Sequence, residues 1–359
     1  MCTSKTAIFK SPGNPLEIVD INIPELKSGE ILIRNLYTTL CRSDIYTFIG
    51  TRNEKSPTIL GHEIVGVIVE FGPDTLLHDE RGDSLDVGDR ITWAIYASDP
   101  GSAMALKGIP QKGNNLFKYG HEKITGDNTL HGGLSEYAVL RKNTPVLKIS
   151  NTISNKFAAT INCSVATVAG AIRLAGEMKG KSVGIMGAGM LGAIACSMSR
   201  VNGAETIIAF DIDRERLKNA ERFGANHSVN LLETKDYIGF LPKMDIILEF
   251  SGYPDSIEKS MDLLAIGGVA VWVGATFPQR DLKINAERVV RNLHSIKGLH
   301  NYNNYDLVAA ADFIESHFTD YPFDEMIEAE FPLERVNDAF QYAIDHNPYR
   351  VGISFLRDL

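Results

Sequence analysis

Cysteine is scarce in this chain of 359 residues: four residues, at positions 2, 41, 163 and 196, with no regular spacing. That pattern excludes a disulfide framework and leaves thiols as metal ligands or small core residues. Long apolar runs are missing too. None approaches the roughly 18 residues needed to cross a bilayer, so no membrane partner is expected. The stretch Met1-Cys2-Thr3-Ser4-Lys5 has no apolar leader character, so a secretory signal is not expected and a cytoplasmic location is. There is no dense basic block, and 36 Lys and Arg against 45 Asp and Glu give a net charge of −9. A polyanion such as nucleic acid is therefore a poor partner. Internal repeats and low-complexity tracts are likewise absent.

The length, with 44% hydrophobic and 23% charged residues, fits two well-buried domains of a globular protein. The first ~150 residues read as short strands separated by turns. Ala7-Ile8-Phe9, Ile31 to Arg34, Ile64 to Val69 and Arg90 to Trp93 are rich in β-branched residues, and Gly, Pro, Asn and Asp clusters bound them. An all-β, barrel-like domain is expected there. Further on, Val183 to Met186, Thr206 to Phe210, Asp245 to Phe250 and Val269 to Val273 are almost wholly apolar, as strands covered on both faces are. Helical patterns such as Arg214 to Phe223 alternate with them, so this part predicts an α/β, doubly wound parallel sheet. The chain turns helical again over Tyr305 to Ser316, and a last strand, Val351 to Phe355, is expected to rejoin the first domain. The boundaries read from this are 1–154 with 300–359, and 155–299.

Gly187-Ala188-Gly189-Met190-Leu191-Gly192 follows one apolar strand and opens a helix of small residues. In that setting a G-x-G-x-x-G pattern is a dinucleotide fingerprint: a tight turn, close backbone approach to the pyrophosphate, and close packing of helix on strand. Asp211 stands about 20 residues on, where the fingerprint places an acid for the ribose hydroxyls. Its charge would repel a 2′-phosphate. NAD is therefore expected over NADP, a preference that Arg214 and Arg216 nearby soften. Met190 and Gly274 are counted with this site.

Cys41 and His62 are residue types that bind Zn²⁺, with Cys163 available as a third ligand. Their spacing does not link them, and each taken singly also fits a core thiol or a structural histidine. The wider pattern resembles the zinc-containing alcohol dehydrogenases of the medium-chain dehydrogenase/reductase superfamily. The marks are Cys41-Arg42-Ser43-Asp44, Gly61-His62-Glu63-x-x-Gly66, Val87 to Arg90, Gly132 to Tyr137, Cys163 with Thr167, and the glycine turn with Asp211. The resemblance implies a GroES-like β-barrel catalytic domain joined to a Rossmann cofactor domain. It implies Cys41, His62 and Cys163 as catalytic zinc ligands, Glu63 as an alternative ligand, and Asp44 as the acid that orients the histidine. Ser43 would accept the substrate proton. Arg42 and Arg350 would contact phosphates, Thr167 and Leu191 would lie near the nicotinamide, and Arg216 would meet the adenosine ribose. Ile95, Leu116 and Leu134 match substrate-lining positions, and Arg52, Lys118 and His121 could reach a charged or polyhydroxy group. Leu116 to Glu122 also resembles a subgroup associated with phosphonate catabolism.

Two departures from the family stand out. Where many members bind a structural zinc through four cysteines, this chain has Asp99, Ser102, Ala105 and Gly113, so one zinc per chain is expected. Where a histidine passes the released proton to solvent, this chain has Tyr46, whose pKa of about 10 suits that task poorly. His121 and His131 are substitutes by type, although each also reads as a surface or lobe histidine. The expected activity is NAD(H)-linked oxidation of an alcohol: a sugar or polyol, a secondary alcohol, or a phosphonate-bearing one. The competing readings are a zinc-free reductase of the same fold and a non-catalytic NAD-binding protein. A homodimer or homotetramer is expected.

Overall fold

The computed structural model describes residues 2–126, 128–234, 239 and 241–355. The chain divides into two units, 1–166 with 303–318 and 323–359, and 167–302 with 319–322. The boundary falls at 166/167, inside a continuous helical stretch, Asn155–Ala175. That stretch has the length and apolarity of a bilayer span but is mostly buried, as a core helix is.

The first unit is built on a sheet ordered Ile327–Pro332, Arg350–Ser354, Ile31–Leu40, Glu63–Phe71, Arg90–Trp93 and Val146–Lys148. Tyr137–Leu140 also pairs with Ile31–Leu40. The last strand does return to the first unit, antiparallel to Ile31–Leu40 with Val351 opposite Leu40. On its other side Ile31–Leu40 places Thr39 opposite Glu63. This register gathers the end of one strand and the starts of two others at one edge of the sheet, and Cys41, His62 and Arg350 flank that edge. Two apolar clusters anchor it. One joins Phe9, Leu40, Ile59, Leu60, Phe340, Val351 and Ile353, and the other joins Ile33, Ile64, Ile91, Trp93 and Tyr119. The Val336–His346 helix buries Val336, Ala339 and Phe340 into the first cluster.

The second unit has a six-stranded, all-parallel sheet in the order His227–Asn230, Thr206–Asp211, Ser182–Met186, Met244–Glu249, Leu264–Trp272 and Ser295–Gly298. The order of strand addition reverses beside Ser182–Met186, which has the second strand on one side and the fourth on the other. In open α/β sheets ligands bind outside the carboxyl ends of the strands at such a switch point. His227–Asn230 carries a polar sequence and escaped the apolar-run criterion.

Candidate metal and dinucleotide sites

Three backbone segments bring the metal candidates together. Cys41 is the amino-terminal cap of the Arg42–Ile49 helix. The reason is Asp44, whose Oδ2 accepts the Cys41 N–H at 2.9 Å, a capping arrangement that a cysteine cap conceals. The other oxygen accepts the Gly61 N–H at 3.1 Å, so one buried carboxylate ties the Cys41 turn to the His62 segment. Cys163 sits in a π-helical turn, Ile161–Val165, a widened geometry that recurs at functional sites. Beside it the Asn162 amide donates to the His62 carbonyl at 2.9 Å and to the Trp93 carbonyl at 2.8 Å.

The outcome is convergence. A sulfur from Cys41, one from Cys163 and a ring nitrogen of His62 lie within 4.8 Å of one another, the only such metal-competent group found among the described residues. The chemistry fits zinc: two thiolates and one imidazole, with a fourth tetrahedral position left for substrate. The Cys41 thiol is held well below its ordinary value by a hydrogen bond from Cys163, and then by the Arg350 guanidinium, whose Nη2 lies 3.7 Å from the sulfur, against the cost of burial. That same contact pushes the Cys163 thiol up. Two adjacent thiols competing for one negative charge are the arrangement that a divalent cation resolves. Burial opposes charging the His62 ring, but Asp44 outweighs it and raises the pKa. Asp44 Oδ1 lies 3.6 Å from Nδ1, outside hydrogen-bond length but on the side of the ring where it can fix the tautomer.

Glu63 is not among the converging ligand atoms. Its carboxylate is taken up by Arg350, with Nε to Oε2 at 2.7 Å and Nη2 to Oε1 at 2.9 Å, by the Ser164 hydroxyl at 2.8 Å and by the Thr39 hydroxyl at 2.5 Å. Arg350, expected at a phosphate, is 5% exposed and spends its donors on Glu63, Ser164 and the Tyr349 carbonyl. Thr39, Asn162 and Ser164 were missed by the sequence reading. Their only signal is adjacency to a ligand, which means little before the fold is known.

Around this centre Ser43 and Tyr46 are half-buried on the first helix, and the Arg42 guanidinium lies 6.0 Å from the Tyr46 ring centroid and pairs with Asn347. His121 and His131 are not surface residues: they are 8% and 1% exposed. The His121 ring lies 5.0 Å from that of His62, centroid to centroid, and its Nδ1 meets Glu54 at 2.8 Å. Arg52 reaches the same carboxylate at 3.3 Å. Lys118 is lowered first by burial and then by the neighbouring cations Lys112 and Arg52, while the carboxylates of Glu54 and Glu122 nearby act in the opposite sense. Of the expected apolar wall, Leu134 packs wholly in the core with Phe9 and Ile59, while Ile95 is buried and Leu116 half-buried. The segment that would carry a second metal folds instead as a short helix, Ala103–Leu106, with the Ser102 hydroxyl accepting the Ala105 N–H at 3.2 Å.

In the second unit the glycine turn takes the expected form. Gly187 has φ +91°, and a Cβ on Gly192 would lie 1.9 Å from the Gly187 carbonyl oxygen, so neither position takes a side chain. Met190 and Leu191 begin the Met190–Val201 helix directly after Gly189. Asp211 Oδ2 accepts the Ala188 N–H at 2.7 Å, which clamps the turn to the next strand end. Arg216 lies beside Gly189, its Nη1 3.8 Å from where a Cβ would be. Arg214 is engaged by Glu233 at 2.6 Å. Thr167 is half-buried at the start of the unit.

Comparison with known proteins agrees with this geometry. Residues 27–151 match the alcohol dehydrogenase GroES-like domain, and residues 191–316 match the zinc-binding dehydrogenase family. An L-threonine 3-dehydrogenase of Thermococcus kodakarensis is 29% identical over 86% of this chain and 87% of its own length. An S-(hydroxymethyl)glutathione dehydrogenase of Escherichia coli is 29% identical over 69% of this chain and 68% of its own. The crystal structure of an alcohol dehydrogenase from Thermotoga maritima superposes with a TM-score of 0.93 at 26% identity, covering 99% of this chain and all of that one. With one family model on each of its two domains and the family's ligand trio converged in space, the chain belongs to the zinc-containing alcohol dehydrogenases of the medium-chain dehydrogenase/reductase superfamily.

Proposed function

We propose that this protein is an NAD(H)-linked dehydrogenase that oxidises an alcohol to the carbonyl and depends on a single zinc ion held by Cys41, His62 and Cys163. The observation that carries the reading is the convergence of half-buried Cys41 and Cys163 on buried His62, with the Arg350 guanidinium supplying local positive charge. When bound, zinc supplies Lewis acidity toward the substrate oxygen, and the nicotinamide exchanges hydride with the carbinol carbon. The protein's own part is to orient and to move a proton. Asp44 holds the Cys41 and Gly61 backbones and steers the His62 ring, so both ligands arrive preset. Ser43, next to Asp44 in the same first helical turn, takes the substrate hydroxyl proton. Asp211 favours NAD over NADP by repelling a 2′-phosphate, as well as by clamping the glycine turn.

One zinc per chain follows from Asp99, Ser102, Ala105 and Gly113, which offer no thiolate. For substrate we favour an alcohol that also carries an anionic group, phosphonate-bearing ones included. The support is the group of Arg52, Lys112 and Lys118 near His121, three cations against the two acids Glu54 and Glu122, with His121 itself beside His62. Self-association into a homodimer or homotetramer has support in the exposed edge strand Ser295–Gly298 and the exposed Ile266, Val290 and Leu293 of the same unit. A cytoplasmic location fits four free thiols. The test is zinc-loaded protein offered NAD and a panel of neutral and anionic alcohols, read by NADH absorbance. The reading requires zinc-dependent NADH formation with an anionic alcohol ahead of its neutral analogue. No turnover on any alcohol would leave a non-catalytic NAD-binding protein.

A further inference from the structure

Glu249 is a buried acid that metal binding and proton transfer leave without a task. Glu249 closes the Met244–Glu249 strand at the switch-point edge of the parallel sheet and is fully buried. Its carboxylate accepts the Ser251 N–H at 2.9 Å, the Gly252 N–H at 3.0 and 3.1 Å on its two oxygens, and the Ser251 hydroxyl. Its backbone carbonyl accepts the N–H groups of Val273 and Gly274 at 2.9 and 3.0 Å. Met186 is its partner on one neighbouring strand and Trp272 on the other.

One residue therefore stands between the turn that begins at Gly187 and the strand end at Gly274, and it fastens its own loop between them. That loop touches both. A Cβ on Gly187 would lie 3.0 Å from the Ser251 nitrogen, and a Cβ on Gly274 would lie 2.4 Å from the Gly252 nitrogen. Three strand ends are packed backbone to backbone, and their relative positions hang on the carboxylate that gathers the 251–252 amides. A carboxylate is an expensive way to do this. Burial pushes Glu249 up to about 7 in spite of its hydrogen bonds, and an apolar or amide side chain would fill the same space without that cost. Such a cost is characteristic of a group retained for shape at a ligand edge.

We propose that Glu249 is a positioning residue for the dinucleotide, acting by fixing the Ser251–Gly252 loop against the Gly187 turn and Gly274. The proposal rests on the reading that this sheet edge takes NAD. Glu249→Gln keeps the volume but turns an amide N–H₂ toward the loop's donors. The dissociation constant for NADH, read by fluorescence titration of the zinc-loaded protein, should rise roughly tenfold. KM for NAD should rise with it, kcat at saturating NAD should change far less, and bound zinc should stay at its wild-type level. Ser251→Ala removes one donor and leaves the carboxylate, and should weaken NADH by a smaller factor. If Glu249→Gln does not fold, Ser251→Ala alone decides. Wild-type NADH affinity in every variant that folds, or a loss confined to kcat, would overturn the proposal while leaving the NAD reading intact. Wild-type protein that binds no NADH would remove the NAD reading itself, and this proposal with it.

Discussion

Glu63 and Arg350, 287 residues apart in sequence, form a two-point ion pair in which both partners are buried, and the same guanidinium reaches the Cys41 sulfur at 3.7 Å. The pair joins the strand that starts beside His62 to the last strand of the chain. Removing one partner leaves the other charge buried and unpaired, so Arg350→Met should cost roughly 3–5 kcal/mol in unfolding free energy. The double variant Glu63→Gln, Arg350→Met should recover part of that loss. Urea unfolding of the three proteins measures it; an Arg350→Met variant within 1 kcal/mol or so of wild type would show that the pair is not structural.

Ser43 stands beside the metal centre without being a ligand. Ser43→Ala should retain zinc and NADH binding while kcat falls by about 10²–10⁴. Metal analysis together with steady-state kinetics checks this, and near-normal kcat would take Ser43 out of proton transfer.

Asp211 clamps Ala188 N–H at 2.7 Å, and in the proposed reading it also repels a 2′-phosphate. Asp211→Ser should therefore raise KM for NAD and shift the kcat/KM ratio toward NADP, on the order of tenfold or more, since removing one close like charge is worth about a kcal/mol even in water. An unchanged ratio would mean that the acid does not select the cofactor.

His131 gives a pH prediction. Its ring is 1% exposed, and burial depresses its pKa from 6.5 to about 4. The folded protein therefore resists protonation where the unfolded chain accepts it. Its contribution is intact above pH 6.5 and is lost as pH falls toward 4, by roughly 3 kcal/mol in full. Unfolding free energy of wild type and His131→Asn, compared between pH 4 and 7, should show a steeper fall for wild type; parallel curves would contradict the assignment.

The sequence made the parallel sheet legible because strands buried on both faces must be apolar over their whole length, as Ile246 to Leu248 and Ile207 to Phe210 are. It made the Gly187 turn legible because positive φ and a 1.9 Å approach admit only glycine. The metal ligands were nameable only through the family pattern, since nothing local relates Cys163 to Cys41. What joins them, the Thr39–Glu63 strand register and the Asn162 side-chain link to His62, exists only once the chain has folded. The same holds for His121, which reads as a surface residue until the chain folds it against His62. Glu249 was passed over because one acid ending an apolar run looks like a strand terminus.

The central claim is that Cys41, His62 and Cys163 hold one zinc ion. X-ray absorption at the zinc edge of protein purified with its metal tests it most directly, alongside the metal count. The account requires one zinc per chain with two sulfurs at about 2.3 Å and one or two nitrogen or oxygen neighbours at about 2.0–2.1 Å, and loss of the signal in Cys163→Ala but not in Cys196→Ala. Two zinc ions per chain, a sulfur-free shell, or zinc retained unchanged in Cys163→Ala would contradict it.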